Sequence, residues 1–160
     1  MKLNNVLQLG HPLLYQKAEP VQHEEVEGLC SVFTDMHDII LEFRSKYNAG
    51  RAIAAPQIGV MKRIICWNVT EPVVLINPEL LDVSKELFEL WDDCMSFPNL
   101  LVRLKRHKRC QISFLDENWT RHVWNLEDDL SELFQHEFDH LEGILATQRA
   151  IDDQSFKWRS

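Results

Sequence analysis

The run His136-Glu137-Phe138-Asp139-His140 constrains this chain more than any other stretch. It is an H-E-x-x-H motif inside a helical pattern. At 3.6 residues per turn, positions i and i+4 lie on one face about a turn apart, so two imidazoles can share one metal ion with the glutamate beside them. A catalytic metal usually needs three protein ligands and one open position. Where the third ligand comes from is therefore the first question.

The chain has 160 residues, 45% of them hydrophobic, which suits one domain spanning residues 1–160 with a sizeable core. A net charge of -8 argues against bulk binding to DNA, to other nucleic acid or to an anionic membrane. No apolar run approaches the roughly 18–20 residues that span a bilayer, and the first residues lack a signal-peptide core. Cys30, Cys66, Cys94 and Cys110 are widely spaced with no C-x-x-C pair. Three of them (Cys30, Cys66 and Cys110) lie in apolar-patterned segments and read as buried free thiols. That usage suits a reducing cytoplasm.

Residues from Glu24 to about Lys46 read as a long amphipathic helix, with Val26, Cys30, Phe33, Met36, His37, Ile40, Leu41 and Arg44 near helical spacing. His37 on that stripe reads as a core or edge histidine. Arg63 to Val69, Val73 to Ile76 and Leu87 to Trp91 are β-rich runs. Val102 to Leu115 alternates, placing Val102, Leu104, Arg106, Lys108, Cys110, Ile112 and Phe114 on one face. Trp119 to Trp124 adds another strand. Asn125 reads as the N-cap of the next helix, with Glu127, Asp128 and Asp129 in its first turn, where the dipole favours acids. That helix runs to about Leu145, with Leu126, Leu130, Leu133, Phe134, Leu141, Ile144 and Leu145 as its core stripe. The expected class is α+β, with antiparallel β-sheets packed around a central helix carrying the H-E-x-x-H motif.

Downstream residues do not supply the third ligand. The extended pattern H-E-x-x-H-x-x-G-x-x-H holds through Gly143, but Ala146 occupies the last ligand position. Only Glu142, Asp152 and Asp153 follow His140 as acids, and Glu142 lies about 200° around the helix from it. The ligand is expected upstream. Several residues are eligible, with Cys94 favoured because it sits in a punctuated loop between Asp92-Asp93 and Ser96-Phe97-Pro98.

Three ordered segments carry a resemblance. Gly50-Arg51-Ala52-Ile53-Ala54-Ala55-Pro56-Gln57, then Asp92-Asp93-Cys94-Met95-Ser96, then Gln135-His136-Glu137-Phe138-Asp139-His140-Leu141-Glu142-Gly143 resemble the motifs of the peptide deformylases. Val74-Leu75-Ile76-Asn77-Pro78-Glu79-Leu80 and Gly10-His11-Pro12-Leu13-Leu14 fit the same family, so the resemblance covers nearly the whole chain. It implies that Cys94, His136 and His140 hold one divalent metal ion: Fe(II) first, with Zn, Ni or Co as substitutes. It further implies removal of the formyl group from N-formylmethionyl peptides or nascent chains. Glu137 would serve as general base and then acid, with the Gln57 side-chain amide and the Met95 backbone N–H stabilising the oxyanion. Gly50, Ala52, Asp93, Glu132 and Leu133 would line the substrate groove, where the peptide pairs as an added strand.

The chain departs from that pattern at several points. Asp92 stands where the family has Glu, and Arg106 is its expected partner beside Cys94. Ala52 and Asp93 replace glycines, and Leu101 stands where many bacterial members carry an arginine. Asp139 and Arg149 read as structural partners of the metal helix. Glu132 and Asp129 precede His136 by one and two turns, where the family builds an apolar pocket for methionine. They are either helix-dipole acids at the surface or pocket residues that disfavour methionine and favour a polar or cationic group. The run Arg103-Leu104-Lys105-Arg106-His107-Lys108-Arg109 reads as a solvated strand face, with transient contact to ribosomal RNA as the sharper alternative. Two other readings remain: hydrolysis of a different N-formyl or short N-acyl amine, and a silent metal- or peptide-binding paralogue.

Overall fold

The computed structural model describes residues 2–160. Helix α1 spans Cys30–Tyr47 and buries Phe33, Met36, Ile39, Ile40 and Phe43. The expected stripe is right at Phe33, Met36 and Ile40, but Leu41 is exposed and Ile39 takes its place inside. The expected start at Glu24 is wrong as an α-helix. Two 3-10 turns, His23–Glu25 and Glu27–Leu29, precede α1, and Gly28 within the second weakens helix propagation there. Cys30 is therefore exposed at the head of the helix rather than buried, whereas Cys66 and Cys110 are buried and all four thiols are free.

Strands β1 (Ala52–Ala54), β2 (Ile64–Asn68), β3 (Pro72–Val83), β6 (Arg109–Leu115) and β7 (Arg121–Glu127) form one antiparallel sheet in the order β1-β2-β3-β6-β7. Side chains alternate across it. Ile64, Cys66, Val74 and Ile76 pack with the core under α1, while Ile65, Trp67, Leu75, Cys110, Ile112 and Phe114 pack with the core under the second helix. Both faces of β2 are thus covered. Strand β3 runs well past Ile76, because the irregularity at Asn77 and Pro78 is absorbed as a register shift between Ile76 and Glu79.

A second antiparallel sheet joins β4 (Leu87–Asp92), β5 (Leu100–His107) and β8 (Phe156–Trp158) in the order β4-β5-β8. The alternating run from Val102 to Leu115 is therefore two strands in two sheets. The chain changes sheet at Lys108, and the inward parity survives the change: Val102, Leu104 and Arg106 are buried on β5, and Cys110, Ile112 and Phe114 on β6. The basic run is largely engaged within the molecule. Arg103 meets Glu89 and Asp152, Arg106 is buried, Lys108 meets Asp128, and Arg109 meets Glu86 and Glu127.

Helix α2 (Asp129–Leu141) packs against β1, β2 and β7 of the large sheet and against β5 of the small one. Its expected N-cap is wrong. Asn125 and Leu126 belong to β7, paired with Gln111 and Cys110, and the corner is made by Asp128 at φ 55. Of the three acids expected in the first turn, only Asp129 lies there; Glu132 is the other. The helix ends at Leu141 rather than about Leu145, and Gly143 just beyond it has a φ of 74 that suits glycine; a Cβ there would stand 2.7 Å from the Tyr15 carbonyl oxygen. The sharp exit returns Leu145 and Ala146 to a small core with Cys94 and Phe97. No helix among the described residues is long and apolar enough to cross a membrane.

Candidate active site

Helix α2 presents His136 and His140 on one face, and the loop after β4 delivers Cys94 to them. One ligand atom from each lies within 4.8 Å of the others, and all three residues are buried. Cys94 Sγ stands 3.4 Å from His140 Nε2. Bond lengths of roughly 2.3 Å to sulfur and 2.0 Å to nitrogen at a tetrahedral angle give a separation near 3.5 Å, so the spacing fits one metal ion. One thiol and two imidazoles form a donor set for a transition metal rather than for magnesium or calcium.

A chain of charges fixes this set from behind. Asp92, at the end of β4, places Oδ2 2.7 Å from His136 Nδ1, which leaves Nε2 for the metal side. The same oxygen accepts from Arg106 at 3.3 Å, and Arg106 also donates to Asp139 at 2.7 Å. Arg149 closes the chain with two bonds to Asp139. The expected Asp92–Arg106 pair is present and buried, and Asp139 and Arg149 are the helix partners anticipated. The contact of Asp92 with His136 was missed. Burial opposes charge on His136, yet Asp92 and Cys94 outweigh it and hold the imidazole well above its ordinary range. Burial, then the neighbouring His136, pushes His140 well below it.

Glu137 lies beside the triad, with Oε1 3.8 Å from His136 Nε2 and Oε2 buried without a partner among the described residues. Burial raises its carboxyl to about 7, opposed by the charge of His136. Gln57 arrives from the 3-10 turn Ala55–Ile58 that follows β1. Its Oε1 accepts from the Ala54 N–H at 2.9 Å, which turns the amide N–H toward Ser96 Oγ at 3.2 Å and Cys94 Sγ at 3.5 Å. Met95 is buried next to Cys94. The triad, Glu137, Gln57 and Met95 thus converge on one place.

A cleft of about 510 Å³ opens beside them, lined by Gly50, Ala52, Asp93, Glu132 and Leu133 among others. All five expected groove residues meet there. Asp93 fits without a left-handed backbone, and its carboxylate is held by Arg159 at 2.6 Å. Leu101 does not line the cleft. Glu132 faces the cleft and is only 8% exposed, whereas the Asp129 side chain is 74% exposed. Arg51, which sequence reasoning passed over, ties both together: Nη2 to Glu132 at 3.1 Å and Nη1 to Asp129 at 3.0 Å. Its only signal was position, next to Gly50 in the first motif.

An α+β fold with an H-E-x-x-H helix meeting an upstream cysteine defines a metal-dependent hydrolase site. A family model described as polypeptide deformylase matches residues 3–156. The chain is 36% identical over 154 residues to peptide deformylase 2 of Clostridium perfringens, covering 94% of each chain. It is 33% identical over 141 residues to the peptide deformylase of Thermotoga maritima, covering 88% of this chain and 82% of that one. The crystal structure of the T. maritima deformylase superposes with a TM-score of 0.81 at 31% identity, covering 92% of this chain and 97% of that one. A peptide deformylase from Synechococcus elongatus in complex with actinonin gives 0.83 at 28% identity, over 94% and 80% of the chains. The chain belongs to the polypeptide deformylase family.

Proposed function

We propose that this chain is a single catalytic domain that hydrolyses the N-terminal formyl group of formylated peptides, formylmethionyl nascent chains in the first place, to formate and a free amine. The observation that carries the reading is the convergence of Cys94, His136 and His140 with an unpartnered buried carboxylate, Glu137, at one end of a cleft. The donor set favours Fe(II), with Zn, Ni or Co able to replace it. When bound, the metal supplies Lewis acidity at neutral pH.

The residues of the chain account for the rest. Glu137 takes a proton from the attacking water and returns it to the departing amine nitrogen as the C–N bond breaks. Gln57 Nε2 and the Met95 N–H donate to the oxygen that becomes negative at the formyl carbon. Asp92 holds His136 in one tautomer, and Arg106 keeps Asp92 charged. The peptide beyond the formyl group lies along the open edge of β1, whose first residue, Ala52, lines the cleft. The setting is cytoplasmic. Ribosome contact, where it occurs, is transient, since the run from Arg103 to Arg109 presents mixed charge rather than an unbroken basic stripe.

The test is anaerobically Fe(II)-loaded protein assayed for formate and amine release from formyl peptides, with Glu137→Ala as the blank and acetyl peptides as the control. Release from formyl peptides alone, lost in Glu137→Ala, is expected. No release from any formyl peptide would sink the reading.

A further inference from the structure

We propose that Arg44 binds a carboxylate of the substrate peptide, two to three residues past the formyl group, while the first residue remains methionine. The inference rests on the deformylase reading above and deepens it by a second recognition point at the far end of the cleft. Gln57 marks the reacting end, because its Oε1 is bonded to the Ala54 N–H at the last residue of β1. Gly50, whose carbonyl Arg44 holds, lies beyond the other end of that strand. The four residues between Ala54 and Gly50 amount to about 13 Å of extended chain. A peptide lying along this edge with its formyl carbon at the triad therefore brings its second or third residue to Arg44.

The state of that arginine points to the ligand. Arg44 is half-buried in the last turn of α1 and lines the cleft. Its Nε and Nη2 donate to the Gly50 carbonyl at 3.1 and 3.0 Å, and Nη2 also donates to the Asn68 carbonyl at 2.6 Å. Those bonds use every N–H on the two nitrogens and fix the guanidinium, while Nη1 keeps both of its own without an acceptor among the described residues. Both anchoring groups are neutral, so no acid among the described residues matches the charge. Arg51, the other arginine of the cleft, is matched by Asp129 and Glu132. The remaining acids are engaged elsewhere: Asp92 faces Arg106 and His136, and Asp93 faces Arg159. Burial raises the Glu132 carboxyl to about 7, so it adds less than a full negative charge at neutral pH. The end of α1 supplies only about half a negative charge. Asn48, next along the cleft, offers a side-chain amide as a further donor. A charged acceptor makes a bond roughly twice as strong as a neutral one, so a carboxylate gains more here than a peptide carbonyl. An acidic side chain near the start of a nascent chain supplies it, as does the C-terminus of a free formyl tripeptide.

The test uses two pairs of peptides with the metal-loaded full chain. One pair is formyl-Met-Ala-Ala with a free or an amidated C-terminus. The other is formyl-Met-Ala-Glu-Ala and formyl-Met-Ala-Gln-Ala, both amidated. In at least one pair the carboxylate peptide should show a KM about fivefold or more below that of its neutral partner, with kcat little changed. Arg44→Gln keeps an amide donor for the Gly50 carbonyl and loses the charge, so it should bring that ratio to about one, whatever its absolute rate. The same peptides are titrated by calorimetry into metal-loaded Glu137→Gln protein, with and without Arg44→Gln, which reads affinity without turnover. A preference in the first pair alone assigns the carboxylate to free formyl peptides, and one in the second pair to acidic residues of longer chains. Equal affinities within both pairs overturn the proposal, as does a preference that survives Arg44→Gln. If no peptide turns over but the binding preference holds and depends on Arg44, the deformylase reading fails and the role of Arg44 stands.

Discussion

One carboxylate oxygen, Asp92 Oδ2, serves both His136 of the candidate metal site and a buried arginine. Burial works against its charge, but His136 and Arg106 hold the carboxyl below its ordinary range. Such supporting bonds typically govern metal affinity by 10–100-fold. Asp92→Asn should therefore lose metal to a competing chelator about 10–100-fold more readily while its far-ultraviolet circular dichroism stays unchanged. Glu137→Gln should keep its metal and lose roughly 10²–10⁴ in kcat, since it removes the proton carrier and little else. Metal content and steady-state rates on one preparation separate the two cases. The sequence pointed to Cys94, His136, His140 and Glu137, which the fold brings together, and to the Asp92–Arg106 pair. It concealed the bond from Asp92 to His136 because the two are 44 residues apart and no local pattern links them.

At the scale of elements, α2 carries acids that the fold tolerates rather than needs. Burial, aided by Asp92, raises Glu132 from 4.5 to about 7. A carboxyl with a raised folded pKa stabilises the fold fully below its unfolded pKa, and that contribution is lost as pH rises through the folded value. Glu132→Gln should accordingly gain stability over the metal-free parent at pH 8 and show little gain near pH 4.5, read from urea midpoints at both pH values. The exit of the same helix is constrained in the opposite direction. Gly143→Ala places a methyl against the Tyr15 carbonyl at a positive φ and should cost about 2 kcal/mol or more. The start of α2 was misplaced because Leu126, Leu130 and Leu133 fit a helical period, while His122, Trp124 and Leu126 fit a period of two. The ladder between β7 and β6 decided in favour of the strand. Strands as short as β1 and β8, three residues each, leave too little periodicity to read.

Across the whole molecule, the site draws on elements of both sheets. Cys94 follows the small sheet, whereas the histidines ride a helix packed mainly on the large one. A metal held by both should bind the native state far better than the unfolded chain. At about a thousand times its Kd it contributes roughly 4 kcal/mol, which for a chain of this length is a rise of about 8–16 °C in Tm. Calorimetric scans with and without metal should show that rise, and Cys94→Ala should abolish most of it.

The free margin of β1 carries a liability as well as a use. An unpaired strand edge that welcomes one extended backbone welcomes any, a second copy of the protein included. Here the margin is three residues long, ended on one side by Gly50 and on the other by Pro56, which has no amide hydrogen to donate. Two copies meeting there would gain only a few backbone bonds, too few to start a growing sheet. Brevity lets the edge stay open in solution without seeding aggregation.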